Sequence, residues 1–471
     1  FNIFLYIMCG ITALISLSET NIINNLYESL YHLQHRGQDS FGFSFLSDKK
    51  IKVIKEKCLL STLSNLNTKN IDTSFGIGHV RYPTKGQNTL NEVQPFLLNN
   101  KYHNISIVHN GQIWKTERLL NYLKENKIEL NRNITSDSII LLYLLSYHLN
   151  KYEYLTDKIL ENIIYELYNL LDGSYNCICI IENYGIICFK DKNSIRPLIL
   201  GKKIDNYIIS SESISIDSLE YTIVDDIYNN ELLIFDISNK EYRKCKLNYR
   251  SVFKPCIFEW IYLAREESII YNVNVYESRY KMGEYLAKNI IENLDKEKIK
   301  EIDYVIPIPD TSKPVALAVS KILNIPYYEA ITKNRYVNRT FIMNTQEKRK
   351  SNIKRKLNIV KQFIVNKNIL IIDDSIVRGN TIEHIIRLLK KNNVKKLYVA
   401  SSCPEIKYEN KYGIDIPDRR ELLSYNKNIK EIEKKLKIDK LFFQKISDLK
   451  KSIQTFNNKL TTFEISILDD L

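Results

Sequence analysis

Residues 369–381 read Ile369-Leu370-Ile371-Ile372-Asp373-Asp374-Ser375-Ile376-Val377-Arg378-Gly379-Asn380-Thr381. Four consecutive apolar residues, with no polar alternation, suit a strand buried on both faces. Two carboxylates follow at the strand's C-terminal end, where open α/β sheets bind ligands. A short loop then leads into Thr381–Lys390, which has helical periodicity, and a helix N-terminus is a ready anion site. Working outward, Tyr304–Pro309 and Lys396–Ala400 read as further short strands. Pro314–Leu323 reads as a helix with proline in its first turn. Strand–helix alternation of this kind predicts an α/β domain over 260–425, its parallel sheet covered on both faces. Residues 426–471 are Lys/Glu-rich and helix-prone, and are expected to form a C-terminal helical appendage.

The chain before residue 235 has a different grammar. Gly10–Leu17, Phe41–Phe45, Ile105–Val108, Tyr175–Ile181 and Ile186–Phe189 read as strands separated by turn residues. Asn21–Leu33 and Ser136–Leu149 carry a helical period, the second opening on Ser136-Asp137-Ser138, a plausible N-cap region. Strands in two groups with helices between them predict a layered α+β domain.

Composition agrees with a multidomain globular chain. The 471 residues are 44% hydrophobic, which excludes disorder and small disulfide scaffolds. Lys and Arg exceed Asp and Glu by 68 to 55, a net charge of +13 in a chain visibly rich in Lys, Ile, Asn and Tyr. This reads as a compositional bias and not as a nucleic-acid tail. With only 13 glycines, each is expected where a Cβ would not fit. The eight cysteines form no C-x-x-C pair and no disulfide framework, so a reducing, cytoplasmic setting is expected, and Cys177 and Cys179 read as strand core. Residues 1–17 are apolar, but no Lys or Arg precedes Arg36, and Asn2, Thr12 and Ser16 interrupt the run. Neither a signal peptide nor a membrane span fits.

Met8-Cys9-Gly10-Ile11 places a cysteine after an internal methionine; alone it reads as a buried strand residue. It is followed by His35-Arg36-Gly37-Gln38-Asp39-Ser40-Phe41-Gly42, then by Gly78-His79-Val80-Arg81-Tyr82-Pro83-Thr84, His109-Asn110-Gly111 and Thr135-Ser136-Asp137-Ser138. In this order the set resembles the glutaminase domain of class II glutamine amidotransferases, a branch of the N-terminal-nucleophile hydrolases. The resemblance implies an αββα sandwich over 9–235. It implies that Cys9 attacks the glutamine amide carbonyl and that its own α-amine acts as base, once residues 1–8 are absent. It also makes the Asn110 amide and the Gly111 N–H the oxyanion donors. Arg81 would hold the glutamine α-carboxylate and Asp137 the α-ammonium. Without these motifs, Arg81 would read as an ion-pair residue, Asp137 as a helix cap and Asn110-Gly111 as a hairpin turn.

The stretch 369–381 resembles the phosphoribosyl pyrophosphate signature of type I phosphoribosyltransferases. That resemblance implies that Asp373 and Asp374 hold the ribose hydroxyls and, with them, one Mg²⁺ per subunit, while Ser375, Ile376, Val377, Arg378, Gly379, Asn380 and Thr381 wrap the 5-phosphate. Asp303–Pro314 resembles the pyrophosphate-side loop, with Ser312 as the third metal-linked position. Lys333 opens the basic stretch 333–356, which resembles the mobile loop over the substrate; a nucleic-acid patch is the alternative. Asn338 stands where the family has Gly, and Asn380 where Thr is usual. Cys256–Arg265, Pro404-Glu405-Ile406 and Tyr412–Asp415 also fit proteins that join these two domains. Some of those carry an iron–sulfur cluster on four cysteines; here only Cys256 matches, Asn410 occupies a second place, and no cluster is expected.

Together the halves imply transfer of the glutamine amide nitrogen to 5-phosphoribosyl 1-pyrophosphate, giving 5-phosphoribosylamine, glutamate and pyrophosphate, the first step of purine synthesis. The implied partners are the two substrates and purine nucleotides as feedback inhibitors, with a homo-oligomer as the expected assembly. Nucleic acid and membrane are not expected partners. The competing readings are another class II amidotransferase, which the 369–381 stretch disfavours, and a purine-sensing regulator on a decayed transferase fold, which Cys9, Asp373 and Asp374 disfavour.

Overall fold

The computed structural model describes residues 9–18, 20–62, 71–82, 89–128, 130, 136–333, 357–414, 416 and 418–469. They fall into two compact units, one running to Cys256 and taking in Lys411–Asp415, the other built from Ile257–Asn410 and Ile416–Leu471.

The first unit opens with β1 (Gly10–Ser16), α1 (Ile23–His32), β2 (Ser40–Ser47), β3 (Lys50–Glu56), β4 (Phe75–Arg81), β5 (Phe96–Leu98) and β6 (Ile105–Trp114). Next come α2 (Thr116–Glu125), α3 (Asp137–Leu149), α4 (Asp157–Leu170), β7 (Asp172–Ile181), β8 (Gly185–Lys190), β9 (Ile199–Lys203) and β10 (Asn206–Ser210). It closes with α5 (Ser213–Ser218), β11 (Thr222–Asp226), β12 (Glu231–Asp236) and β13 (Glu241–Lys246). Two antiparallel sheets result, ordered β11-β9-β10-β1-β4-β2-β3 and β13-β12-β8-β7-β6-β5.

Period-two alternation sorts the side chains into layers. Ile11, Ala13 and Ile15 of β1 meet Val108, Ile178 and Ile180 of the other sheet. Leu14, Phe41 and Phe43 face Leu26 and Leu30 of α1. Tyr175, Cys177, Cys179 and Ile181 of β7 face α3 and α4, so both cysteines are core, as expected. The arrangement is the expected αββα sandwich. The sequence boundary at 235 falls inside β12; β13 pairs with β12 beyond it, so the unit is longer than anticipated. Lys411–Asp415, far away in sequence, also belongs here: the Tyr412 carbonyl accepts from Ser174 Oγ at 2.8 Å and Arg196 Nη2 at 2.7 Å.

The second unit begins with a small hairpin, β14 (Ile269–Ile270) and β15 (Val273–Asn274), then α6 (Val275–Asn293), α7 (Lys296–Lys300), β16 (Tyr304–Pro307) and α8 (Lys313–Leu323). The paired strands β17 (Ile331–Lys333) and β18 (Leu357–Ile359) flank residues 334–356, so Asn338 and the body of the expected mobile loop lie outside the described residues. After them come β19 (Asn368–Asp373), α9 (Asn380–Lys391), β20 (Lys396–Ser401), α10 (Ile429–Leu436), β21 (Lys440–Phe443) and α11 (Ile446–Gln454). The sheet is wholly parallel, ordered β16-β19-β20-β21.

Both faces of this sheet are covered, which is why β19 tolerates no polar alternation. Ile369 and Ile371 pack with Ile382, Ile385 and Leu389 of α9, while Leu370 and Ile372 pack with α6 and α8. Residues 426–471 are not an appendage. Lys440–Phe443 pairs with Tyr398–Ser401 as the fourth strand, and Ile432, Leu436 and Leu441 join the same core as Ile371. A four-residue strand between charged helices carries too little local pattern to be seen; its partner strand makes it one.

Candidate active sites

The first site assembles where the two sheets of the sandwich meet. Cys9 immediately precedes β1 and is half-buried, its thiol donating to the Tyr82 carbonyl at 3.8 Å. Gly10 pairs with Val80, which sets Arg81 and Tyr82 at the end of β4 beside the cysteine. Burial pushes the Cys9 thiol up; the Arg81 charge pulls it down and the Asp137 charge pushes it up again. A thiol held up in this way needs a base to become nucleophilic. Residues 1–8 lie outside the described residues, and with them the expected processing before Cys9.

Arg81 is buried, not a surface ion-pair residue. Its Nη2 donates to Glu92 Oε2 at 3.1 Å, and its buried Nη1 has no hydrogen-bond partner among the described residues. A buried guanidinium nitrogen without an acceptor is costly and suits an incoming carboxylate. Asp137 opens α3: Oδ2 accepts from Ile113 N at 2.7 Å and Oδ1 from Ser138 N at 2.8 Å. It therefore is a helix-terminus residue as well as a site candidate, because two backbone N–H groups fix the carboxylate.

Asn110-Gly111 lies inside β6, not in a hairpin turn, opposite Asn176 and Tyr175 of β7. A Cβ on Gly111 would overlap the Ser174 carbonyl, so only glycine lets the two strands approach here. The Asn110 side chain is fully buried; Nδ2 donates to Ser211 Oγ at 3.4 Å and Oδ1 has no partner among the described residues. Next to it, His109 Nδ1 is 2.7 Å from Ser138 Oγ and Nε2 is 3.4 Å from the Ser174 carbonyl. A carbonyl only accepts, so Nε2 carries the proton. Burial pulls the His109 pKa down, and the neutral ring is spent on bridging α3 and β7. Gln94 holds the same backbone, accepting from His109 N at 2.6 Å and donating to its carbonyl at 3.2 Å. Glu92, Gln94 and Ser211 escaped the sequence reading; a Ser-Ser-Glu-Ser cluster directly after an apolar strand was the one weak signal for the last.

The second site lies at the C-terminal end of β19. Burial pushes Asp374 up to about 6, while the Ser375 hydroxyl and the Arg279 charge pull it down. Asp373 is pushed well above the ordinary range by burial and by the Asp374 charge. Among the described residues neither carboxylate forms an ion pair with Lys or Arg. Two adjacent, buried, cation-poor carboxylates fit a hard divalent ion such as Mg²⁺. Arg279, unforeseen from sequence, donates to the carbonyls of Trp260 and Ala264 at 2.9 and 2.8 Å and so ties the joining segment to α6.

Beyond the pair, Ser375 Oγ donates to Asp374 Oδ1 at 2.7 Å. Ile376 and Val377 are buried, Ile376 in the core, so only their backbone can face a phosphate. Arg378 pairs with Glu421 at 2.6 Å. Gly379, at φ +84°, turns the loop into α9, whose first residues Asn380 and Thr381 present N–H groups without intrahelical acceptors. Ser312 Oγ donates to the Ile308 carbonyl at 2.6 Å at the start of α8, and Lys333 pairs with Asp310 at 2.9 Å.

Two family models match the chain, a glutamine amidotransferase domain over residues 79–218 and a phosphoribosyl transferase domain over 276–447. The amidophosphoribosyltransferases of Pasteurella multocida and Escherichia coli are each 37% identical to it, over 98% of this chain and 92% of theirs. The chain belongs to the amidophosphoribosyltransferase family. The Methanocaldococcus jannaschii amidophosphoribosyltransferase is 34% identical over 95% of this chain and 94% of its own. A solved glutamine phosphoribosylpyrophosphate amidotransferase from B. subtilis, complexed with ADP and GMP, superimposes with a TM-score of 0.82 at 27% identity, covering 98% of this chain and 94% of that one. The amidophosphoribosyltransferase fold thus accounts for both units.

Proposed function

We infer that this chain transfers the amide nitrogen of glutamine to 5-phosphoribosyl 1-pyrophosphate, the first step of purine biosynthesis. One observation carries the reading: a single chain matching this family over nearly its whole length holds a cysteine near an unsatisfied arginine and an aspartate, and a separate buried carboxylate pair at the C-terminal end of an inner strand of the parallel sheet. In the first site, Cys9 attacks the glutamine carbonyl and forms a γ-glutamyl thioester, releasing ammonia. The Asn110 amide and the Gly111 N–H hold the oxyanion, Arg81 Nη1 takes the α-carboxylate and Asp137 the α-ammonium. In the second, Asp373 and Asp374 orient the ribose hydroxyls, and the backbone from Ser375 to Thr381 holds the 5-phosphate. Ser312 and Lys333 belong to the diphosphate side. Mg²⁺, bound through the carboxylate pair and Ser312, would supply charge against the leaving diphosphate. The further partners are purine nucleotides as inhibitors and other copies of the chain; the setting is cytoplasmic, and among the described residues no helix is long and apolar enough to cross a membrane.

Pyrophosphate release that depends on both glutamine and phosphoribosyl pyrophosphate tests the reaction. Cys9→Ala should abolish release with glutamine and retain it with added ammonium. Loss of the ammonium reaction in a folded Cys9→Ala protein would refute the division of labour.

A further inference from the structure

Ser211 follows the last residue of β10 and is fully buried. Its backbone N–H donates to the Ile11 carbonyl at 3.0 Å, its hydroxyl accepts from Ile11 N at 3.0 Å, and the same hydroxyl is 3.3 Å from the Ile11 carbonyl. Ile11 lies two residues after Cys9 on β1. Across the sandwich, on the second sheet, Asn110 Nδ2 donates to that same hydroxyl at 3.4 Å. One oxygen therefore joins the nucleophile's strand to the side chain that holds the oxyanion.

The geometry has a directional consequence. The Ile11 carbonyl can only accept, so the Ser211 proton is committed to it, and the oxygen faces Asn110 as an acceptor. Asn110 Oδ1 is buried without a partner among the described residues, so no bond from that side selects one of the two amide orientations. Ser211 selects the one with Nδ2 toward β1; that NH₂ has two hydrogens, and one remains for the substrate oxygen. The 3.4 Å separation is long, as bonds at catalytic groups often are before substrate closes the site. The neighbouring Glu212, buried and paired with Arg36 and with His35 at 2.7 Å, keeps the turn in place.

We propose that Ser211 is a positioning residue for oxyanion stabilisation, fixing the Asn110 amide relative to Cys9. The inference rests on Asn110 being the oxyanion donor. Because Ser211 acts through Asn110 and touches none of the groups that hold the amino-acid end of glutamine, its removal should slow turnover without weakening ground-state binding.

The test is Ser211→Ala and Asn110→Ala, singly and together, in the full chain, with ammonium-dependent synthesis as the control for folding. A removed oxyanion donor lowers kcat by about 10²–10³, so a donor that is kept but misoriented should cost only part of that, roughly tenfold. Ser211→Ala should lower glutaminase kcat by that smaller factor and leave the glutamine KM within about twofold. Binding of glutamate γ-semialdehyde should weaken in parallel with kcat: the Cys9 sulfur bonds the aldehyde carbon as the C=O π pair moves to oxygen, the thiol proton leaves sulfur and ends on that oxygen, and the resulting tetrahedral hemithioacetal presents its oxygen to the same donors. Binding of glutamate should not change. The double variant should be no slower than Asn110→Ala. A normal defect in Asn110→Ala with an unaffected Ser211→Ala, or a double variant slower by the full Ser211 factor, overturns the positioning role. Unchanged kcat in Asn110→Ala overturns the oxyanion assignment and this proposal with it. Should Ser211→Ala not fold, Ser211→Cys, similar in size and a poorer acceptor, should give the same parallel loss in kcat and aldehyde binding; equal loss of glutamate binding would overturn the proposal.

Discussion

Replacing Asp374 with asparagine should yield a metal-free protein that is more stable and unable to make phosphoribosylamine. Asp373 and Asp374 are 7% and 9% exposed, and burial pushes Asp374 up to about 6 from an ordinary 3.8. In the unfolded chain the carboxyl titrates near its ordinary value. Below pH 3.8 both states keep the proton and the burial costs nothing. As pH rises toward 6 the unfolded chain gives up a proton that the folded chain retains, so stability falls, and above about 6 the loss is complete. The gap corresponds to about 3 kcal/mol, or roughly 6–12 °C in Tm for a domain of this size class. Asparagine matches the shape, keeps an oxygen for the Ser375 hydroxyl and carries no charge. Scanning calorimetry in chelator should therefore show a large Tm gain for Asp374→Asn at neutral pH and almost none near pH 4. Mg²⁺ with phosphoribosyl pyrophosphate should reverse the order, since a ligand at about 1,000 times its Kd adds about 4.1 kcal/mol to the wild type alone. A Tm difference independent of pH, or a wild type that is the more stable at neutral pH in chelator, would refute the reasoning.

Arg81→Lys should raise the glutamine KM by roughly one to two orders of magnitude and leave ammonium-dependent synthesis intact, because a lysine lacks the planar fork that lets one guanidinium nitrogen stay on Glu92 while another meets a substrate carboxylate; an unchanged KM excludes the clamp. Leu441→Ala should destabilise the second unit by about 2–5 kcal/mol in denaturant titration, although the residue lies in a segment that reads as a surface appendage; a cost under about 0.5 kcal/mol would mean that β21 contributes no core. Intact-mass measurement of the active enzyme should find Cys9 as the first residue, since the α-nitrogen of Cys9 is a non-basic amide while residues 1–8 remain attached; full glutaminase activity in a protein that retains them would rule out the free-amine base.

The sequence alone determined both fold classes and picked out most of the candidate site residues. Four apolar residues without alternation at 369–372, followed by two carboxylates, suit a strand covered on both sides, and the alternation along Tyr175–Ile181 demands two different faces. These are local periodicities, set by backbone geometry within one element, and so they survive in a one-dimensional reading. Cys9, Arg81, Asp137, Asp373 and Asp374 likewise sit at element ends, where turn and cap residues mark the place. What only the tertiary structure decided is polar and long-range. Ser211 bonds Ile11 across 200 residues, Glu212 pairs with Arg36 across 176, and Tyr412 meets Ser174 across 238. Asn110-Gly111 has the composition of a turn, yet ten pairs of β6 with β7 hold it in a strand. Lys440–Phe443 becomes a strand because Tyr398–Ser401 offers an open edge. A hydrogen bond depends on the position of its partner, and at these separations the sequence pattern around a serine or a glutamate contains nothing about the residue it will meet; only the pairing of distant strands and the packing of the segments around them bring such residues together.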